Sequence, residues 1–119
     1  MIRAATLALA LGLLFPPAPA AAQRAGTYQV EGTDPAGSPY SGTATFTALD
    51  GKTWRITWRI DGESGGAEGI GLVAGGLLVV GYTISGAPGI ATYQPQPDGS
   101  LVGPWTSGQG LGSERLVPR

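Results

Sequence analysis

The sequence contains no cysteine and no histidine. Their absence excludes a thiol nucleophile, the commonest general base at neutral pH, and most transition-metal sites. It also excludes disulfide bonds, so a small domain must depend on hydrogen-bonded secondary structure and a compact apolar core. The sequence therefore predicts no catalytic residue, no metal site and no cofactor, and we expect the protein not to be an enzyme.

Charge is sparse as well. Only 13% of the residues are charged, with seven basic and eight acidic side chains. Because basic and acidic side chains nearly balance, the sequence predicts no basic patch that could bind a phosphate backbone. We therefore expect no nucleic acid partner. Apolar residues at three- to four-residue spacing are also lacking, so we expect no helix longer than one or two turns.

A long apolar run occurs only at the N-terminus. Arg3 precedes the apolar segment 4–15, and a segment rich in Pro and Ala then ends at Ala22. This is the order of a secretory signal peptide, and about 12 apolar residues are fewer than the ~20 needed to span a bilayer. We expect residues 1–22 to be a cleaved Sec-type signal peptide. Residues 23–119 should then form one periplasmic or secreted domain, without a lipid-anchoring cysteine and without membrane insertion.

The clearest structural signal is the run from Lys52 to Ile60. Apolar and polar residues alternate along it, as Trp54, Ile56, Trp58 and Ile60 against Thr53, Arg55, Thr57 and Arg59. A strand sends successive side chains to opposite faces, so the run has one apolar and one polar face. Asp-Gly pairs flank it on both sides as turn signals. The pattern predicts a half-buried antiparallel strand.

Glycines divide the rest of the chain into short segments of similar length. The sequence has 21 glycines, all but Gly12 beyond residue 22. Regular spacing of this kind is typical of many short strands joined by turns. The predicted strands are 26–32, 40–49, 52–60, 63–72, 77–84, 90–94, 100–106 and 111–117. The connections are too short for crossovers, so we predict an all-β fold, an eight-stranded antiparallel up-and-down meander closed into a small barrel. The alternative is a two-sheet β-sandwich.

The second and third predicted strands can be aligned by keeping one face of the hairpin apolar. A two-residue Asp50-Gly51 loop mixes the two faces. A three-residue loop over 49–51 keeps them separate. That register sets Phe46 opposite Trp54 and Gly42 opposite Trp58, where the indole would cover the strand glycine. The consecutive apolar residues Leu77-Leu78-Val79-Val80 separately predict a fifth strand that is covered on both faces.

Several motifs together resemble a group of small exported proteobacterial proteins often labelled fibronectin-binding. These motifs are Gly26-Thr-Tyr-Gln-Val-Glu-Gly32, Tyr40-Ser-Gly-Thr-Ala-Thr-Phe46, Trp54-Arg-Ile-Thr-Trp58, Gly69-Ile-Gly71, Leu78-Val-Val-Gly-Tyr82, Asp98-Gly-Ser-Leu-Val-Gly-Pro-Trp105 and Gly112-Ser-Glu114. They consist mostly of turn glycines and core aromatics, and the resemblance accordingly implies a shared fold. At the level of fold the Gly-x-Tyr and Gly-x-Trp strands are also similar to avidin-like and lipocalin-like barrels.

Two sets of residues are candidates for a functional site. The first would line an open-ended barrel and bind a small apolar ligand, and it comprises Trp54, Trp58, Glu68, Tyr82 and Trp105. In the alternative, the tryptophans are core residues and Glu68 points outward. The second set, Arg55 and Arg59, would present a polar strand face to a partner; alternatively it is a solvated surface. Glu114, beside Arg115, is expected on that outer surface.

The remaining carboxylates are expected to have structural roles. Asp34, Asp50, Asp61 and Asp98 lie beside glycine or proline, where aspartate hydrogen-bonds its own backbone in turns.

Three functions follow from these candidates. The first is an exported, non-catalytic binding module that contacts an extracellular or envelope protein through its polar face and loops. The second is a carrier of a small apolar ligand inside the barrel. The third is an inhibitor of a secreted or periplasmic hydrolase.

Overall fold

A computed structural model describes residues 24–119, which form eight antiparallel strands closed into one barrel in the order β1 to β8. The strands are β1 (Gly26–Thr33), β2 (Pro39–Ala48), β3 (Thr53–Ile60), β4 (Gly66–Ala74), β5 (Leu77–Ile84), β6 (Ala87–Pro95), β7 (Leu101–Thr106) and β8 (Gly112–Pro118). The predicted up-and-down barrel is therefore confirmed, and the sandwich alternative is wrong. The predicted signal peptide lies outside the described residues.

Alternating side chains explain why this chain closes on itself. In β3 the side chains of Ile56 and Trp58 are buried, whereas those of Arg55, Thr57 and Arg59 are exposed. The first and last strands complete the ring through pairs such as Val30 with Leu116. Closure satisfies both edges of the sheet and encloses the apolar face of every strand at once. Within residues 24–119 no helix is long and apolar enough to cross a bilayer.

The barrel has two dissimilar ends. We call the end formed by the loops 49–52, 75–76 and 96–100 the closed end, and the end formed by the loops 34–38, 61–65, 85–86 and 107–111 the open end. Large side chains buried in the core include Tyr28, Phe46, Ile56, Leu78, Leu101 and Leu116. Tyr28 packs on Phe46 with 4.6 Å between ring centroids. These residues fill the interior toward the closed end.

The register of the β2–β3 hairpin differs from the prediction by two residues. Phe46 pairs with Ile56, and Trp58 lies opposite Ala44 rather than Gly42. The cause is the turn, where Oδ1 of Asp50 accepts hydrogen bonds from the backbone N–H groups of Lys52 (2.8 Å) and Thr53 (3.0 Å). The turn is therefore centred one residue later than expected. A shift of two residues preserves the faces, so the apolar side still points inward.

Two of the other three turn aspartates behave as predicted. Asp34 accepts hydrogen bonds from the backbone of Ala36 and Ser38, both at 2.9 Å, and Asp98 accepts one from the backbone of Ser100 at 2.9 Å. Asp61 instead accepts a hydrogen bond from the Ser41 hydroxyl at 3.1 Å. With Asp50, three of the four turn aspartates hydrogen-bond their local backbone.

The outer faces of β4 and β5 carry exposed apolar side chains. Ile70 and Leu72 are 55% and 48% exposed. Leu77 is 36% exposed, so the prediction that β5 is covered on both faces is wrong. In β4 the sequence pattern does not show which residues face inward, because glycines carry no side chain that would mark the inner positions. Those positions are Ala67, Gly69 and Gly71, which leaves Glu68 on the outer face.

Candidate functional site

The open end of the barrel contains a cavity of about 580 Å³. Its lining combines aromatic, small and acidic side chains, among them Tyr40, Trp58, Ala67, Tyr82, Ala91, Tyr93, Trp105 and Glu114. These residues come from strands all round the ring, and each occupies an inward position of its strand. We call this cavity the cup. Its volume lies within the range of sites that bind drug-sized molecules.

A single carboxylate, that of Glu114 on β8, is buried beneath the cup with only 7% of the residue exposed. Its Oε1 accepts a hydrogen bond from the Tyr40 hydroxyl at 2.6 Å. Its Oε2 accepts two more, from Nε1 of Trp58 at 2.9 Å and from the Tyr93 hydroxyl at 2.8 Å. Four different strands thus meet at this carboxylate. All three donors are neutral, so they satisfy its lone pairs without neutralising its charge.

Burial governs the titration of this cluster. Loss of solvation raises the pKa of Glu114, while the hydrogen bonds from Tyr40, Tyr93 and Trp58 act in the opposite direction. Burial also raises the pKa of the Tyr40 and Tyr93 hydroxyls, and the nearby Glu114 carboxylate raises both further. The two tyrosines therefore remain protonated donors at neutral pH.

Glycines on neighbouring strands make room for the aromatic rings of the cup. Three such pairs lie in register: Tyr40 with Gly32, Tyr82 with Gly89, and Trp105 with Gly112. In each pair the ring lies where a Cβ on the glycine would collide with it. An aromatic ring that covers a glycine on the adjacent strand compensates for the packing the glycine lacks. The sequence pattern predicted this arrangement at Trp58 and Gly42, whereas it occurs at three other pairs.

The rings of the cup meet at steep angles. Trp58 and Tyr82 are 5.7 Å apart between centroids and inclined by 57°. Tyr40 and Trp105 are 6.2 Å apart and inclined by 70°. Neither pair is stacked flat. Nε1 of Trp105 is buried, and the interaction of this side chain with the Tyr40 hydroxyl lowers the pKa of Tyr40, against the net rise that burial causes.

The charges that line the cup all have one sign. Asp34, Asp61 and Glu63 lie at its mouth and Glu114 lies at its base. None of the basic side chains of residues 24–119 is part of the lining. Arg55 and Arg59 are exposed on the outer face of β3, and Arg115 is exposed on β8. The cup is therefore an acidic, aromatic cavity.

The structure separates the predicted ligand-binding residues into two groups. Trp58, Tyr82 and Trp105 line the cup. Trp54 does not, because it lies toward the closed end, where it packs on Phe46 at 6.1 Å between ring centroids. Glu68 does not either, because it lies outside the barrel and forms an ion pair with Arg55 at 2.6 Å. The predicted inward position of Glu68 is wrong.

The predicted position of Glu114 is also wrong. It was expected on the outer surface beside Arg115, whereas it points inward and Arg115 points outward to form an ion pair with Asp98 at 3.2 Å. A signal was present in β8, since Gly112, Glu114 and Leu116 share one face and Leu116 is apolar. Alternation with Leu116 would have placed the carboxylate inside. The expectation that charged residues stay in solvent outweighed that signal.

The predicted partner surface is an exposed strand face. The guanidinium of Arg55 donates to Glu68, and Arg59 lies four residues further along the same face. Among residues 24–119 no three His, Cys, Asp or Glu side chains are grouped so that they could hold a metal ion.

No protein-family model matches this chain, and no curated protein matches it. Solved structures do match. A redesigned β-barrel has a TM-score of 0.71 at 16% sequence identity, with 85% of this chain and 95% of that chain covered. The redesigned barrel mFAP1, bound to DFHBI, has a TM-score of 0.67 at 18% identity, with 85% and 98% covered. A variant of the fluorescent protein UnaG has a TM-score of 0.53 at 12% identity, with 80% and 95% covered. At these identities the likeness shows the β-barrel fold alone.

Proposed function

We propose that this protein is an exported, non-catalytic binding protein that holds a small organic ligand in the cup. The proposal rests on the contrast between the two ends of the barrel. The interior is filled toward the closed end, whereas a cavity of about 580 Å³ opens between aromatic walls at the open end. A barrel that served only as a rigid scaffold would gain stability from a filled interior at both ends.

Two features of the cup support ligand binding. Apolar ring surface supplies the non-directional part of affinity, and a few polar groups fix orientation, which is the usual composition of small-molecule sites. The Glu114 carboxylate and the hydroxyls of Tyr40 and Tyr93 are such groups. Among the structures with this fold, mFAP1 is bound to DFHBI, which supports the capacity of such a barrel to hold a small molecule.

The proposal is tested by titrating the purified domain with a panel of small aromatic and alkyl molecules that includes DFHBI. Trp58 and Trp105 line the cup and Trp54 does not, so a bound ligand should change tryptophan fluorescence saturably. The protein with both cup tryptophans changed to Phe, which retains Trp54, should show almost no change. Binding should also raise the melting temperature, since a ligand that binds only the folded state stabilises it.

A filled cup provides the matched control. Ala67 lines the cavity and is 8% exposed, so Ala67→Leu should occupy part of it, weaken binding and leave the fold intact. A panel in which no member changes the fluorescence or the melting temperature would overturn the proposal. So would equal binding by Ala67→Leu and the unaltered protein.

The other functions considered from the sequence have no observation that favours them. Contact with an extracellular or envelope macromolecule through Arg55 and Arg59, inhibition of a hydrolase, and the relationship to proteins labelled fibronectin-binding all stay predictions.

A further inference from the structure

We propose that the cup selects organic cations, so that its ligand carries an ammonium or similarly charged group held between the aromatic walls and the Glu114 carboxylate. This inference rests on the proposed function and deepens it, because it names the chemical class of ligand. The cavity and its rings provide the site, and the carboxylates determine which sign of charge it accepts.

The fold leaves the negative charge of the Glu114 carboxylate without a cationic partner among the described residues. Glu114 is nine-tenths buried, and among residues 24–119 it receives hydrogen bonds only from two tyrosines and one tryptophan. A buried carboxylate without a cationic partner is unfavourable, because neutral donors replace only part of the solvation it loses. None of the basic side chains described lines the cup. A cationic ligand would supply the missing partner.

The wall of the cup around this carboxylate consists largely of aromatic rings. The faces of tryptophan and tyrosine rings carry partial negative charge and attract cations, most strongly where water is excluded. Trp58, Tyr82, Tyr40 and Trp105 form two pairs inclined by 57° and 70°. A ring inclined to its partner turns an edge toward it, so each pair leaves at least one ring face for a guest, as in the aromatic cages that recognise quaternary ammonium groups.

The entrance to the cup is acidic. Asp34, Asp61 and Glu63 line the mouth of the cup, where no basic residue of the described range 24–119 accompanies them. Their field attracts cations and repels anions, and it acts over a distance that salt shortens to about 8–10 Å under physiological conditions. An anionic ligand would meet like charge both at the mouth and at the base.

Three probes with the same ring test the inference. They are naphthylmethyl-trimethylammonium, its neutral carbon isostere neopentylnaphthalene, and the anion naphthylmethylsulfonate. The permanent charges do not titrate, so differences in affinity report the charge preference of the cup. We expect the ammonium probe to bind about 30-fold more tightly than the neutral isostere, equivalent to about 2 kcal/mol of cation–π and charge interaction. The anion should bind most weakly.

Glu114→Gln should reduce that preference by about tenfold while the neutral probe retains its affinity. Tyr82→Leu should reduce it as well, since the cup then loses one ring and keeps its carboxylate. Glu31→Gln is the matched control, because Glu31 is exposed on the outside of β1 and its loss changes the net charge equally. The preference of the Glu31→Gln variant for the ammonium probe over the neutral isostere should be unchanged.

The outcomes separate this inference from the proposed function. Equal or tighter binding of the neutral or anionic probe overturns the preference for cations and leaves a small-ligand protein. An undiminished preference in folded Glu114→Gln overturns the role of the carboxylate. Absence of binding by all three probes and by the wider panel overturns the proposed function itself.

Discussion

The two ends of the barrel are built from the same eight strands with the same alternation, yet one end is a core and the other a site. Toward the closed end, inward positions carry full-sized side chains such as Phe46, Ile56 and Leu78, all at most 2% exposed. Toward the open end, inward positions carry glycine or alanine next to large rings, and one carboxylate. The difference is one of volume and polarity at inward positions, not of strand pattern.

This contrast explains how a small domain without disulfides can contain a cavity. Stability comes from closure of the hydrogen-bonded ring and from the tightly packed closed half. The open half then needs only enough packing to keep its rings in place, and glycine–aromatic pairs across adjacent strands supply it. Four predictions test this division, from the largest expected effect to the smallest.

Truncation of a large side chain should be far more costly toward the closed end. Phe46→Ala leaves a cavity in a region that cannot refill it and should lower the free energy of unfolding by about 3–5 kcal/mol. Tyr82→Ala enlarges a cavity that already exists and should cost about 1 kcal/mol. Urea unfolding of both variants measures the difference. Equal losses would mean that both ends are core.

The glycines beneath the rings should tolerate no side chain. A Cβ at Gly112 would collide with the Trp105 indole and with the carbonyl oxygen of Thr33, so Gly112→Ala should cost about 1–3 kcal/mol and displace the ring. Gly81 has open space around its Cβ position. Gly81→Ala should therefore change stability by no more than about 0.5 kcal/mol. Thermal unfolding and near-UV circular dichroism distinguish the two.

The buried carboxylate should make the open end sensitive to pH. Its raised pKa means that the folded protein holds the proton more tightly than the unfolded chain does. The contribution of Glu114 to the free energy of unfolding is therefore most favourable below its ordinary pKa of 4.5 and declines as pH rises through its higher value in the fold. The difference in stability between the unaltered protein and Glu114→Gln should decline in the same direction.

Comparison with Glu114→Gln isolates this carboxylate from its neighbours. Tyr40, Tyr82 and Tyr93 act on it electrostatically, and burial raises the pKa of each, so they titrate only in alkali. Asp34, Asp61 and Glu63 at the mouth are common to both proteins, as are Asp50 and Asp98, whose lowered pKa values give the opposite pH dependence. Urea unfolding from pH 4 to pH 8 checks the sign, and a difference independent of pH would contradict the buried charge.

The outer surface should matter least. The ion pair between Arg55 and Glu68 is about half exposed, with side chains 45% and 55% accessible. Exposed pairs of this kind contribute about 0–1 kcal/mol, so Arg55→Ala should change stability by no more than that and should not alter binding in the cup. A larger loss would show that the barrel wall depends on its surface charges.

Much of the fold could be predicted, and less of the site. Alternation of Trp54, Ile56, Trp58 and Ile60 with polar residues identified a strand and its inner face, and regular glycine spacing identified eight strands. The β2–β3 register was missed by two residues, because the exact position of a turn depends on the backbone hydrogen bonds that Asp50 accepts. Three of the five predicted ligand-binding residues line the cup, namely Trp58, Tyr82 and Trp105.

What the sequence by itself determined is which residues face inward in strands with clear alternation such as β3, since a period of two leaves little choice there. In β4 the glycines hid the inner positions, and on β8 the charge of Glu114 did so. What only the tertiary structure decided is which inward residues share a level of the barrel. That depends on the stagger of eight strands around the ring, and stagger results from all the turns together. It set Tyr40, Trp58 and Tyr93, distant from one another in the chain, around the Glu114 carboxylate and left the space beside them open.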